Sequence, residues 1–458
     1  MASVRLDPAR RKSVLRVLFI SLLLDLISFT FILPLFPSLL SFYRSLDTRP
    51  TSLLNRIIHY LNAYKRSFSI PINSKYDIVL LGGALGSLFS LLQAIASPII
   101  GRASDKYGRR TALLWSMAGN IASVALWCAA TDFRTFLLSR VIGGLSEGNV
   151  QLATAIAADV SDESQRGSTM ALVGACFSIA FTFGPALGAA LANITLVAAN
   201  PFATAASFSL LLILVETIYL YLYLPETRPP KTASTVSDTK QNGFTAKHSI
   251  PPQSQRRQTN NPTLLNLTHF LFLLPFSGLE FSLPFLLTTT LYPDHPSPSK
   301  LNGRLLGFIG LVASILQSSI VRRLPPVFNV RIGICSCAAA FFLLARTTSS
   351  AGLYSAGALL AVTSATVVTG LNSLGCFEAA EADRGKTLGE LRSWGQFGRA
   401  LGPMVFCSLF WWAGRHVAYT MGGCCMLAVA GLAFGLLKAP PSSPSTKGQV
   451  KKKAEKAL

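Results

Sequence analysis

Charge is scarce in this sequence, and acid is the scarcer sign. Asp, Glu, Lys and Arg supply only 13% of 458 residues, with 20 acids against 41 basic residues. So thin a polar complement, beside 50% hydrophobic residues, excludes a freely soluble globule. Cysteine is also unpatterned. The eight residues at 128, 176, 335, 337, 376, 407, 424 and 425 include no C-x-x-C pair. Cys335-x-Cys337 has no His or Cys partner at metal spacing, so neither a disulfide framework nor a metal site is implied. No nucleophile–base pair, phosphate loop or metal cluster stands at useful spacing, which argues against an enzyme and against a cofactor. After the basic segment Met1 to Arg16 there is no short apolar stretch with a small-residue cleavage site. The first apolar run therefore reads as a retained span rather than a signal peptide. The net charge of +21 does not imply nucleic acid, because the basic residues sit in short loops and tails and not on one amphipathic face.

What the chain has is long uncharged runs. About twelve are long enough to cross a bilayer, and helices are the form expected of them, since lipid offers the backbone no partners. Their centres fall near Ile27, Phe89, Ile121, Gly148, Ile179 and Leu212, then Ser277, Val312, Ala339, Val367, Gly398 and Met426. Mean hydropathy is +0.46. With both termini in the cytosol, roughly 27 basic residues fall inside and roughly 11 outside, the direction of the positive-inside rule. The dissenting feature is the first outer loop, Arg44 to Lys75, with six Lys or Arg; long loops translocate despite their charge. Residues 231–261 are rich in Ser, Thr, Pro and Gln and nearly free of large apolar residues. The expected division is a six-helix half at 1–227, a disordered basic cytosolic linker at 228–262, a second half at 263–440 and a basic cytosolic tail at 441–458. The tail, ending in Lys451-Lys452-Lys453, reads first as a topology determinant. Asn193-Ile194-Thr195 is a sequon in a short outer loop.

Two stretches carry more information. One is the basic segment Gly101-Arg102-Ala103-Ser104-Asp105-Lys106-Tyr107-Gly108-Arg109-Arg110, between the second and third runs. The other occurs twice: Arg166-Gly167 with Gly184-Pro185 returns about 218 residues later as Arg384-Gly385 with Gly402-Pro403. A membrane chain of two similar halves with a G-x-x-x-D-K-x-G-R-R loop resembles the major facilitator superfamily of secondary transporters. The run from Asp25 to Pro34 and Pro37 resembles the first span of the drug-efflux branch, with Ser28 where Gly is usual. Gly174 with Gly184-Pro185-x-x-Gly188 resembles the fifth-span motif of its antiporters, with Ala189 in place of a last Gly. The likeness runs from the first span to the twelfth and is strongest to the eukaryotic tetracycline-transporter-like proteins. Leu224-Pro225-Glu226-Thr227 closes the sixth span.

The resemblance implies roles. Gly101, Asp105, Gly108, Arg109 and Arg110 would form an inner gate, with Asp105 meeting the helix that starts near Lys386 and Arg109 reaching Asp159. The later counterpart, Arg322-Arg323 to Arg331, keeps the charge but lacks the glycines and the acid. Gly174, Gly184, Pro185, Gly188, Gly402 and Pro403 would let helices pack closely and bend. Intramembrane charge is costly and faces a cavity or a partner. By the family pattern Asp25, Arg140, Glu147 and Glu280 would lie near substrate. Arg140, Glu147 and Gln151 share one face of a continuous helix, and Arg399 is deep enough to pair with Glu280. Each such residue also has a plain reading as a static ion pair. Glu216 reads as structural, His269 as an interface residue, and Glu390 and Arg392 as gate contacts. The leading reading is H⁺-coupled antiport of amphipathic drugs or organic anions by a monomer in a lipid bilayer. The alternatives are an uncoupled anion carrier using Arg140 and Arg399, and a receptor or scaffold with a transporter fold.

Overall fold

The computed structural model describes residues 8–47, 49, 51–68, 77–162, 165–192, 194, 197, 200–228, 259–287, 291–292 and 298–440. Within them the fold is all helical. In chain order the helices are α1 (Pro8–Thr30), α2 (Ile32–Leu46), α3 (Leu53–Arg66), α4 (Asp77–Tyr107), α5 (Arg109–Ala129), α6 (Phe133–Ser146) and α7 (Asn149–Asp159). Then come α8 (Arg166–Ala192), α9 (Ala203–Tyr223), α10 (Pro262–Leu286), α11 (Pro298–Ser319), α12 (Pro326–Arg346), α13 (Ser350–Glu378) and α14 (Arg384–Gly435). Ten of them are long and apolar enough to cross a membrane. Their outer faces carry apolar side chains such as Ile99, Leu211, Ile218 and Met404, each more than half exposed as lipid contact requires.

The departures from the expected pattern have local causes. The fourth run is two short helices, α6 and α7, interrupted at Glu147-Gly148. Hydropathy averaged over a span cannot register such a break. The eleventh and twelfth runs share α14, which turns at Gly414, where φ of +79° suits only glycine. The basic stretch 101–110 is almost all helix: α4 runs to Tyr107 and α5 begins at Arg109, leaving Gly108 alone at φ +107°. The charged segment after the first apolar run contains α3, started by Ser52, whose hydroxyl accepts from the Asn55 amide at 3.2 Å. Asp77 at the head of α4 takes Arg44 at 3.4 Å and also binds Lys65, tying α3 down.

Most of the linker expected at 228–262, the tail at 441–458 and the Asn193 sequon lie outside the described residues. The end of the linker is ordered, against expectation. Asn260 is 3% exposed, and Glu378 accepts from the Thr259 and Asn260 amides at 2.9 Å each. Asn260 also bonds the Lys438 backbone, so this stretch serves as a clasp between α13 and the end of α14.

Helix packing repeats along the chain. On α8, Gly184 leaves room for Thr30 and the Ile27 carbonyl of α1; on α14, Gly402 leaves room for Ser277 and the Leu274 carbonyl of α10. Pro185 and Pro403 follow these glycines inside their helices. Gly188 lies against the Phe31 backbone in the same groove. Between the early and late helices, α4 packs on α14 and α8 on α11 and α13.

Candidate functional site

Two groups of polar residues stand out, one at an end of the helices and one inside the early bundle. At the end, the first amides of α14 receive no side-chain bond from their own cap residue, Asp383. Asp105 from α4 takes them instead: Oδ1 accepts from Gly385 N at 2.9 Å and Oδ2 from Lys386 N at 2.6 Å. A carboxylate here meets both free N–H groups and the positive end of the helix dipole. Gly101 and Gly385 lie backbone to backbone, and a Cβ on either would collide with the other's carbonyl. Arg109, 1% exposed, donates to Asp159 at 2.8 Å, to Asp105 at 2.6 Å and to Ser104 at 2.6 Å. Arg384 reaches the other oxygen of Asp159 from α14. Arg110 lies over the Tyr221 ring and donates to the Tyr221 carbonyl at 2.6 Å. Glu226 caps α5, accepting from Arg109 N at 2.8 Å and Arg110 N at 3.2 Å. A Cβ at Gly108 would strike this carboxylate.

Arg384 and Glu226 were not assigned to this cluster on sequence. Arg384 had been noticed only as half of a repeated pair, and Glu226 only as the close of the sixth span. The repetition was itself the available signal for Arg384.

Inside the early bundle a small cavity of about 30 Å³, room for a water or two, is lined by Asp25, Asn120, Arg140, Glu147, Ser209 and the Phe89 ring, among others. Asp25 is 3% exposed; its Oδ1 accepts from Asn149 Nδ2 at 2.9 Å, and its Oδ2 has no hydrogen-bond partner among the described residues. Glu147 sits at the α6–α7 break and accepts from Asn120 at 3.4 Å. The break turns the chain so that Glu147 lines this space while Asn149, two residues on, meets Asp25 at its edge. Arg140 lies over the Phe89 ring, 5.1 Å from its centroid, and forms no ion pair with Glu147 among the described residues. Gln151 is not in the cavity. It donates to the Ser97 carbonyl of α4 at 2.9 Å, because the break removes the shared face expected for 140, 147 and 151.

Glu280 and Arg399 form a separate pair, 3.6 Å apart, with side chains 43% and 40% exposed. Sequence spacing also missed Asn149 and Asn120. Glu216 on α9 is 1% exposed and accepts from Ser21 of α1 at 2.8 Å, and Ser28 bonds Ser209 at 2.5 Å along the same antiparallel contact. Arg392 on α14 donates to Gln93 of α4 at 3.4 Å. Gly174, by contrast, faces Gln317 and Thr369.

The profile of the Major Facilitator Superfamily matches residues 18–403. The mouse (Mus musculus) Major facilitator superfamily domain-containing protein 10 is 36% identical over 438 residues, 91% of each chain. The crystal structure of the human organic anion transporter MFSD10 (TETRAN) superposes with a TM-score of 0.80 at 32% identity, covering 93% of this chain and all of that one. The class E tetracycline resistance protein of Escherichia coli is 27% identical over 333 residues, 72% of this chain and 78% of that protein.

Proposed function

The chain belongs to the major facilitator superfamily, so it is a multi-pass membrane transporter and not an enzyme, and we propose that it is an H⁺-coupled antiporter exporting amphipathic organic molecules, organic anions or drugs, by alternating access. Nine single helices, the broken pair α6–α7 and α14, which counts twice because it turns at Gly414, would make twelve crossings. They form two six-helix halves, joined through residues 228–262, with both ends in the cytosol. The equivalent packing of Gly184-Pro185 and Gly402-Pro403 supports this division. The Asp105–Gly385 cluster is the inner gate, closed here, and the chain works as a monomer. The substrate class follows the human relative, an organic anion transporter, and the tetracycline resistance proteins.

The observation that carries proton coupling is Asp25: a carboxylate buried in a polar cavity, held by one amide and facing a second acid, Glu147. An ionised carboxylate so placed lacks the partners that burial demands, which makes it a group that can take and release a proton as the cavity changes sides. It lies roughly seventeen residues along α1 from Pro8, about 25 Å at the helical rise.

The test is Asp25→Asn in liposomes carrying a pH gradient. Uphill accumulation should be lost while downhill exchange is retained. Undiminished uphill transport would remove Asp25 from the mechanism. A second reading, an uncoupled anion carrier, is favoured by the half-exposed Arg399, and that outcome would promote it.

A further inference from the structure

The stretch just before α10 holds a cluster that neither the Asp105 contact nor the cavity uses. Glu378 lies in the last turn of α13, where the negative end of the helix dipole works against a carboxylate. It is 8% exposed, and three N–H groups hold it: Thr259 N and Asn260 N at 2.9 Å each, and Asn260 Nδ2 at 3.0 Å. Asn260 Nδ2 also donates to the Lys438 carbonyl at 2.9 Å, and Asn260 Oδ1 accepts from Lys438 N at 2.8 Å. These donors to Glu378 come from two adjacent residues, so whatever moves Thr259 and Asn260 strips them from a buried carboxylate together.

Thr259 is the half-buried member of that pair. It closes the run Arg256-Arg257-Gln258-Thr259, one of two in the chain that read Arg-Arg-x-Ser/Thr. Arginines at these two places are the charge pattern that basophilic protein kinases select. The other run, Arg10-Arg11-Lys12-Ser13, lies within α1, which would have to unwind to give a kinase an extended segment.

We propose that Thr259 is a phosphorylation site and that a phosphate there opens the Glu378 clasp. In the transfer, the Thr259 hydroxyl oxygen bonds to the γ-phosphorus of ATP as the bond to the bridging oxygen breaks. ADP leaves, and the hydroxyl proton passes to the kinase's catalytic aspartate. The product carries about −1.5 to −2 charges beside a buried carboxylate. Helix α10 offers that charge little in return: its first residue, Pro262, has no N–H, and the Asn261 side chain already accepts from Thr263 N at 2.9 Å. Lys438 is exposed, and an ion pair formed in water offsets little. Repulsion from Glu378 prevails. The clasp also sets the order of events. Closed, it holds the Thr259 and Asn260 amides, so a kinase can lay out this segment only in molecules whose clasp has opened, and the phosphate then keeps it open. Modification thereby uncouples the start of α10 from the ends of α13 and α14. The proposal goes beyond transport and rests on that reading only for the cytosolic side of these ends.

The experiment uses the full-length protein in detergent, where both faces are open to reagents. The probe is the catalytic subunit of cyclic-AMP-dependent protein kinase with Mg²⁺ and ATP, and mass spectrometry reads the sites. Thr259 should take up phosphate and Ser13 should not. Glu378→Gln, which lies outside the segment the kinase reads, should speed labelling of Thr259 about tenfold, the shift that losing a charge-assisted hydrogen bond produces. Should that variant fail to fold, Glu378→Asp, with its shorter reach, should act in the same direction. In the phosphorylated protein, hydrogen exchange at the Asn260 amide should rise about tenfold or more, and Thr259→Ala treated with kinase should show no rise. Labelling no faster in the Glu378 variants than in wild type would overturn the proposal, as would a phosphorylated protein whose Asn260 amide exchanges at the original rate. Kinase added outside sealed inside-out vesicles should label Thr259 as it does in detergent. Labelling in detergent alone would refute the cytosolic placement taken from the transport reading, whereas no labelling in either refutes the site.

Discussion

Replacing Asp105 by Asn isolates the end contact between α4 and α14. The native carboxylate accepts two amide bonds, at 2.9 and 2.6 Å, and faces the start of α14 with a full charge. Asn keeps one oxygen for one amide and turns an NH₂ toward the other, so one bond is lost outright. A hydrogen bond to a charged group contributes about 1.5–3 kcal/mol, less where it borders water, as the Lys386 bond does. Adding the weakened dipole interaction, about 0.3–1 kcal/mol, the variant should destabilise the closed contact by about 2–3 kcal/mol. That shifts the closed-to-open ratio by roughly 30- to 150-fold. The fold itself should stand, because Arg109 keeps Asp159 and Ser104 and the core helices are untouched. The assay compares initial rates of exchange in liposomes with the amount of monodisperse protein recovered. Turnover per folded molecule should fall by up to the shift in the ratio, with yield unchanged. A parallel loss of yield and activity would show that Asp105 serves the fold, and normal turnover would show that the contact does not gate.

Other outcomes follow from the same geometry. Gly402→Ala places a methyl against the Leu274 carbonyl and Ser277, and should destabilise by about 1–3 kcal/mol. Gly167→Ala meets no described atom within 4 Å and should leave the melting temperature level or slightly higher; equal losses in both would contradict the packing assigned to Gly402. Arg399→Gln breaks a half-exposed pair worth under about 1 kcal/mol, so stability should hold while KM for an anionic substrate rises; an unchanged KM would place Arg399 outside the substrate path. Tyr64 bonds Ser408 at 2.7 Å across the outer side, and burial raises its phenol above the ordinary value. The hydroxyl therefore stays protonated until pH exceeds that raised value, and Tyr64→Phe should change the transport rate by the same factor at pH 6 and pH 8. A factor that differs between the two would refute this.

Residues close together in sequence, or repeated in it, were the legible ones. The apolar runs, the stretch 101–110 and the paired Arg-Gly and Gly-Pro positions all carry their meaning in local order. The break at Glu147-Gly148 was not legible, since Ser146 and Asn149 continue a helical pattern well enough and what holds the break lies elsewhere. Ser116 binds the Ser146 carbonyl and accepts from Gly148 N at 2.9 Å. Those partners are thirty residues away on α5. Arg392 reads as a gate contact near the start of its helix but without a partner, because Gln93 comes from a distant helix. Helix α3 hid inside a segment read as a charged loop, although Leu53, Leu54, Ile57, Ile58 and Leu61 fall on one helical face.

The Asp105 contact uses a backbone pattern that is duplicated, yet among the described residues a carboxylate covers the Arg-Gly pair's glycine in one copy only. Gly385 is covered by Asp105, Ser104 and Arg109, whereas its counterpart Gly167 faces open space among the described residues. Arg384 meets Asp159, and its counterpart Arg166 donates to the Cys376 carbonyl at 3.5 Å and lies over the Phe377 ring. The stretch that could supply a second acid offers Arg322 and Arg323 instead. Energetics give a reason for the asymmetry. One such contact holds the closed state by about 2–3 kcal/mol, a depth that thermal motion leaves readily. Two would hold it by about 5 kcal/mol and slow opening roughly a further 30- to 150-fold relative to one. If the Asp105 contact gates as proposed, a carrier that opens there in every cycle is better served by one such carboxylate latch than by two. Restoring the missing acid in the second copy should therefore stabilise the protein and slow it.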